Sequence, residues 1–555
     1  MAYRDEVSRR RLIYLGLDAF DPELARAWAA AGELPHLARV LAQGSSCTVR
    51  NPFGLFVGAL WVSFASALRT DRHGFHCWDE IDPATYAWRL SPPSPERYRA
   101  FWNRIGDAGL RIAAVDVPHA RADARVNGLE LFEWGCHDRH YGLHSNPPER
   151  ARELAARFGL HPGLGADPWR VREFAGDDFV ERRGAFRTPA EEKALVRRLA
   201  DGAAAKGRLL EALLREEEWD LFVAVFGESH AVGHQQWHLH DESHPRFDPG
   251  VRDAAGGDPL LQVYREIDSA VGRIFAAAPA DSTLLVHLSH GMASHFDGTH
   301  LLDELLLRLE QAEAPATAAR AAHSLRSAAK PLLPPLRRLA DRLALPAGVR
   351  TPLAQLLRGD RPGARARRRF FAAPNNSVYG GIRLNLVGRE AQGRVRPEEA
   401  DEVLRQLETD LLTLTNDATG GRVVRAVHRA EWHHRRGSGD KMPDLFVDWE
   451  RDALIETVTS PKTGTVHTPY THWRTGDHRP DGLLIAAAPD VEAGAQLPPV
   501  DIEDIGPSIA ARLGVELAGV DGAPVGWLAS RESGQAPSTA EAPHAGATER
   551  RASFG

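Results

Sequence analysis

Five short apolar runs constrain this chain more than any other feature: "RLIYLGLD" (11–18), "RIAAVDVP" (111–118), "LFVAVFGES" (221–229), "STLLVHLSHG" (282–291) and "GLLIAAAPDV" (482–491). Their continuous apolar character is that of strands buried on both faces of a parallel sheet. Helical segments such as "PELARAWAAAG" (22–32) and "EKALVRRLADGAAAKGRLLEALLREEE" (192–218) lie between them. The alternation predicts an α/β fold, a three-layer αβα sandwich with a mostly parallel central sheet. In such sheets ligands bind in the crevice beyond the carboxyl ends of the strands. Asp18, His230 and His290 each fall at or just past the end of one of these runs.

Charge excludes some partners. Lys and Arg total 68 against 75 Asp and Glu, a formal −7, so no global field recruits nucleic acid or an anionic membrane. No apolar run approaches the ~20 residues that span a bilayer. "RRRLIYLGLD" has the positive flank of a signal peptide, but it runs into Asp18 rather than a small-residue cleavage site, and reads as a strand. The three cysteines, Cys47, Cys77 and Cys136, support at most one disulfide, which fits a reducing compartment, and a cytoplasmic location is expected. Residues 310–369, rich in Ala, Leu, Arg and Pro, read as a basic helical insertion. It divides a catalytic domain over 10–309 and 370–530, and 531–555 reads as a disordered tail.

The histidines carry the chemistry. His230 and His234 stand four apart, on adjacent turns of a helix, a spacing that suits one metal ion. The Glu that follows the first His in a zincin is Ala231, which excludes that class of metalloprotease. "LSHGMASHFDGTH" brings Ser289, His290 and His295 from another strand end, and "TGDHRPDGLL" brings Asp477 and His478 just ahead of the last strand. Elsewhere, His238, His240 and His244 read as solvated, "HHRRG" (433–437) as a surface turn, and His137 and Asp138 as loop residues that could orient a substrate phosphate or sugar.

"YLGLDAFDPEL", "LWVSFASALRTDRHGF", "GESHAVGH", "LSHGM" and "GDHRPDGLL" occur in the order seen in type I phosphodiesterases/nucleotide pyrophosphatases of the alkaline phosphatase superfamily. The chain resembles that family over roughly residues 10 to 500, the insertion excepted. The resemblance implies an alkaline-phosphatase-like fold and two zinc ions. For the first ion the family uses an Asp, a His and a late His, which here fall on His230, His234 and His478, giving a three-histidine site. For the second it uses an Asp after the first strand, here Asp18, and an Asp-His pair, here Ser289 and His290. One zinc ion is expected, with a second optional because a carboxylate is missing.

The family's Thr or Ser nucleophile falls on Val57, and the nearby Ser63 and Ser66 lie one or two turns into the helix. The implied nucleophile is therefore a metal-bound water or a substrate hydroxyl, with Val57 and Gly58 leaving room for it. Asp18 and His290 would hold the second ion or act as general acid and base. "PNNSVYGGIR" supplies Asn375, Asn376 and Arg383, either to orient substrate or, respectively, as turn caps and a surface ion pair. The expected function is hydrolysis or transfer of a phosphate ester or anhydride, on a small-molecule phosphate or sulfate ester. The alternative is a degenerate member that binds a phosphorylated or sulfated ligand without turnover.

Overall fold

Successive side chains of a strand point to opposite faces of a sheet, and the first apolar run does this cleanly. In β1 (Leu12–Leu17), Ile13, Leu15 and Leu17 enter one apolar core while Leu12 and Tyr14 enter another. The same split divides Phe222, Ala224 and Phe226 from Leu221, Val223 and Val225. Two cores on two faces of one sheet make the three-layer αβα sandwich. The computed structural model describes residues 11–90, 98–135, 140–163, 169, 187–313, 362–375, 378–436, 441–470 and 474–529. Most of the expected insertion, the tail 531–555, and the residues His137, Asp138 and Asn376 lie outside them.

The central sheet has nine strands: β1, β2 (Ser45–Arg50), β3 (Ile112–Val115), β4 (Gly128–Phe132), β5 (His144–Asn146), β6 (Leu221–Phe226), β7 (Thr283–Leu288), β8 (Gly482–Ala487) and β9 (Val500–Asp501). Their spatial order is β9-β2-β8-β7-β1-β6-β3-β4-β5. Strands β7, β1, β6, β3 and β4 run parallel. β8, expected to be parallel with them, instead runs antiparallel to both β7 and β2. The reason is its approach: a short strand, Gly476–Arg479, lies just before it at the carboxyl end of the sheet, so the chain descends from there.

Three features place the functional residues. Helix α1 (Phe56–Ser66) packs on one face of the sheet, against a helix at Ile502–Arg512. Helix α2 (Glu228–His240) follows β6 directly. A two-stranded ribbon, Gly291–Ser294 paired antiparallel with Gly476–Arg479, sets Met292 opposite His478.

A separate antiparallel sheet is formed by Phe370–Ala373, Tyr379–Leu384, Leu445–Trp449 and Val424–Arg429. It has its own core, shared with Leu301, Leu302, Leu305, Leu306 and Leu309 of the helix Thr299–Glu313. Its residues Tyr379 and Phe446 also pack on Leu55, Phe56 and Ala59, which anchors the start of α1. Gly54 is required at this junction. Its φ is +70, and a Cβ there would meet the Phe446 ring at 2.7 Å. Among the described residues no helix is long and apolar enough to cross a membrane.

Candidate metal centre

Asp18 leaves the end of β1 fully buried, and its carboxylate holds three elements together. Oδ1 accepts from Trp61 Nε1 at 2.9 Å and from Ser289 Oγ at 3.1 Å, while Oδ2 lies 2.9 Å from His230 Nδ1. The indole reaches it because position 16 is glycine: a Cβ there would meet Trp61 Cη2 at 2.7 Å.

Hydrogen bonds fix the imidazole tautomers. His234 Nδ1 lies 2.7 Å from the carbonyl of Gly476, so it donates and Nε2 keeps its lone pair. Arg474 Nη1 points at that lone pair from 3.3 Å. Likewise His230 donates through Nδ1 to Asp18, leaving its Nε2 a lone pair. A metal-binding His is oriented in this manner, its second nitrogen donating to a carboxylate or backbone carbonyl.

His478 sits at the centre. Its Nε2 is 3.0 Å from His234 Nε2, and its Nδ1 is 2.9 Å from His290 Nε2. Ring centres of His478 lie 4.7 Å from His230, 4.5 Å from His234 and 4.3 Å from His290. All four rings are buried. Donor atoms within 4.8 Å of one another form three triples among the described residues, and two of them share His478: His230–His290–His478 and His234–Asp477–His478. The expected trio of His230, His234 and His478 is thus divided between two triples that share His478. Burial, followed by the charge of Arg474, holds His234 well below the ordinary histidine range, and burial with the neighbouring imidazoles does the same to His478. Neutral nitrogens with oriented lone pairs fit a zinc-type cation, since protons do not compete for them.

The facing side is apolar. Phe56, first residue of α1, lies edge-on 5.7 Å from His290 and 6.3 Å from His478. Val57 is partly buried against the cluster that includes Phe56 and Phe446. Gly58 does not leave room for a ligand as expected, because the backbone of His76 fills that space: a Cβ at Gly58 would meet His76 O at 2.1 Å. Neither serine is available for attack. Ser66 Oγ donates to Val62 O at 2.6 Å. Ser63 Oγ lies 2.9 Å from His73 Nε2, whose Nδ1 accepts from Phe75 N at 3.2 Å. His73 therefore presents a proton to Ser63 and cannot serve as its base.

The remaining expected residues have structural partners. Asn375 Nδ2 donates to Gly54 O at 2.9 Å and to Tyr379 O at 3.1 Å, bracing the turn before α1. Arg383 forms an ion pair, but a buried one: Nε meets Glu390 Oε1 at 2.8 Å and Nη1 donates to Met442 O at 2.7 Å. His238 and His244 are buried rather than solvated, because the ribbon and Phe296 cover them: His238 Nδ1 lies 3.1 Å from Thr475 Oγ1, and His244 stacks on Phe296. At the 433–437 turn His433 is exposed and stacks on Phe53, and His434 donates to Phe53 O at 2.7 Å.

The sequence reading missed Trp61 and Arg474 as partners of Asp18 and His234, and Asp297 altogether. Only the "HFD" adjacency of His295 and Asp297 could have flagged the last.

The description "Type I phosphodiesterase / nucleotide pyrophosphatase" matches residues 12–481. No curated protein matches the chain in sequence. Similar solved structures include murine ectonucleotide pyrophosphatase/phosphodiesterase 5, at 12% identity, 93% of this chain, 98% of that chain and a TM-score of 0.44. Another is phosphonoacetate hydrolase from Sinorhizobium meliloti 1021 in complex with phosphonoformate, at 14% identity, 87% of this chain, 92% of that chain and a TM-score of 0.45.

Proposed function

Because the chain belongs to the type I phosphodiesterase/nucleotide pyrophosphatase family, we propose that it hydrolyses or transfers a phosphate ester or anhydride at its histidine cluster. His230, His234 and His478 would hold zinc, with His290 beside them. The observation that supports this most is the pair of lone pairs, on His230 Nε2 and His234 Nε2, fixed by Asp18 and Gly476. When bound, zinc supplies Lewis acidity and a lowered pKa for coordinated water.

Asp18 already accepts from Trp61, Ser289 and His230, which favours one ion and makes Asp18 the group that orients His230. The start of α1 adds backbone N–H groups with no side-chain cap at Leu55, a polarity that favours an anion. Val57 offers no oxygen, so attack falls to water or to a substrate hydroxyl. Asn375 shapes the site by holding Gly54, one turn ahead of Val57.

The same apolar helix start favours a second reading, that the protein binds a phosphorylated or sulfated ligand without turnover. Elemental analysis of the purified chain, followed by assay on bis(p-nitrophenyl) phosphate and p-nitrophenyl sulfate, separates the two. Zinc with turnover of the diester supports the hydrolase. Zinc with no turnover on a broad ester panel supports the binding protein, and a chain without metal sinks both.

A further inference from the structure

We propose a second divalent-cation site at His295, Asp297 and Asp477, beside the histidine cluster. Asp477 precedes His478 on the ribbon strand Gly476–Arg479, and neighbouring strand residues project to opposite faces. An Asp477 carboxylate oxygen also lies within 4.8 Å of donors on His234 and His478, so the proposed site adjoins the histidine cluster and is set apart from it by His295 and Asp297.

The three side chains are aimed by their surroundings. Asp297 Oδ1 accepts from the backbone N–H of Thr299 at 2.7 Å, and Asp477 Oδ1 accepts from that of His478 at 2.9 Å. Each carboxylate is thereby turned so that Oδ2 faces His295: Asp297 Oδ2 is 2.5 Å from His295 Nε2, and Asp477 Oδ2 is 3.3 Å from it. His295 Nδ1 lies 3.3 Å from Arg474 O, which accepts its proton. Without a cation, Nε2–H donates to Asp297 Oδ2, and a bound cation would replace that proton at the Nε2 lone pair. Three donors thus converge, all within 4.8 Å of one another.

Burial makes this arrangement costly without a cation. His295, Asp297 and Asp477 are 1%, 3% and 0% exposed. A proton on Nε2 satisfies Asp297, but no hydrogen bond reaches the buried Asp477 Oδ2 among the described residues. A dication takes one lone pair from each of the three groups and cancels both carboxylate charges. One imidazole and two carboxylates suit Mn²⁺, Zn²⁺ or Mg²⁺. Occupied, the site ties the turn before Thr299 to the strand that carries His478. It does not depend on the catalytic reading.

The test uses the full-length chain, stripped with chelator and titrated with Mn²⁺ by electron paramagnetic resonance, beside Asp297→Asn. Asparagine keeps the Oδ1 acceptor for Thr299 and removes the charge. The expected result is one equivalent of Mn²⁺ fewer per chain in the variant than in the native protein. Equal stoichiometry overturns the proposal. Should Asp297→Asn fail to fold, an anomalous difference map from crystals of Mn²⁺-loaded native protein decides. A peak between His295 Nε2 and the two Oδ2 atoms supports the site. A direct His295–Asp297 contact with no peak refutes it.

Discussion

The two walls of the candidate centre are built on different principles. On the imidazole wall, residues from β1, α2 and the ribbon converge with tautomers set by Asp18 and Gly476. On the opposite wall, the first turn of α1 presents Phe56 and Val57, packed on an apolar cluster from the second sheet. The polar wall has the donors a metal needs, and the apolar wall lacks the oxygen a covalent mechanism needs. Among the described residues, the first turn of α1, Phe56 to Gly58, carries no side-chain oxygen.

The sharpest way to break this asymmetry is on the imidazole wall. His230→Ala and His234→Ala should each lower zinc per chain and reduce diester turnover by about 10²–10⁴-fold, the range for losing a chemical participant. A folded His234→Ala protein with full zinc and full rate would contradict the assignment. Asp18→Asn keeps the shape but weakens the group that orients His230. Zinc affinity should drop by about 10–100-fold, measured by competition with a chromogenic chelator.

Trp61→Phe probes the tie between the walls, since the indole of α1 reaches across to Asp18. Loss of one donor to a buried carboxylate should cost about 1–3 kcal/mol in urea unfolding, with a smaller effect on zinc content. The effect furthest from the site, absent at neutral pH, concerns His238, which burial pushes down to about 3. Its folded value lies below the unfolded value of about 6.5, so between those limits only the unfolded chain binds the proton. The stability it contributes is complete above pH ~6.5 and is lost as pH falls toward 3. His238→Gln should flatten the acid limb of the stability curve by up to ~1.4 kcal/mol per pH unit. An unchanged slope would show that His238 is protonated in the folded protein.

Much of this was legible in the chain. Strands buried on both faces announce themselves as continuous apolar runs, so β1, β3, β6, β7 and β8 stand close to where those runs lie. Apolarity has no direction, however, and so the antiparallel course of β8 was invisible. The histidines were found because they follow strand ends. Their partners were not: Trp61 reaches Asp18 only because Gly16 leaves the space, a contact between residues 43 apart in the chain. His238 and His244 read as solvated because polar residue types carry no mark of the elements that cover them. The Gly58 vacancy was misjudged for a related reason, since a missing side chain does not reveal that backbone from His76 fills the gap.

The most direct test of the asymmetry is the stereochemical course at phosphorus, followed with an isotopically chiral phosphodiester that the protein turns over. Attack by water or by a substrate hydroxyl in a single displacement inverts the configuration. Two displacements through an enzyme residue retain it. The account predicts inversion, and no phosphoryl adduct on the intact protein after rapid quench. Retention, with an adduct mapped to Ser63, Ser66 or any other side chain of α1, would contradict it.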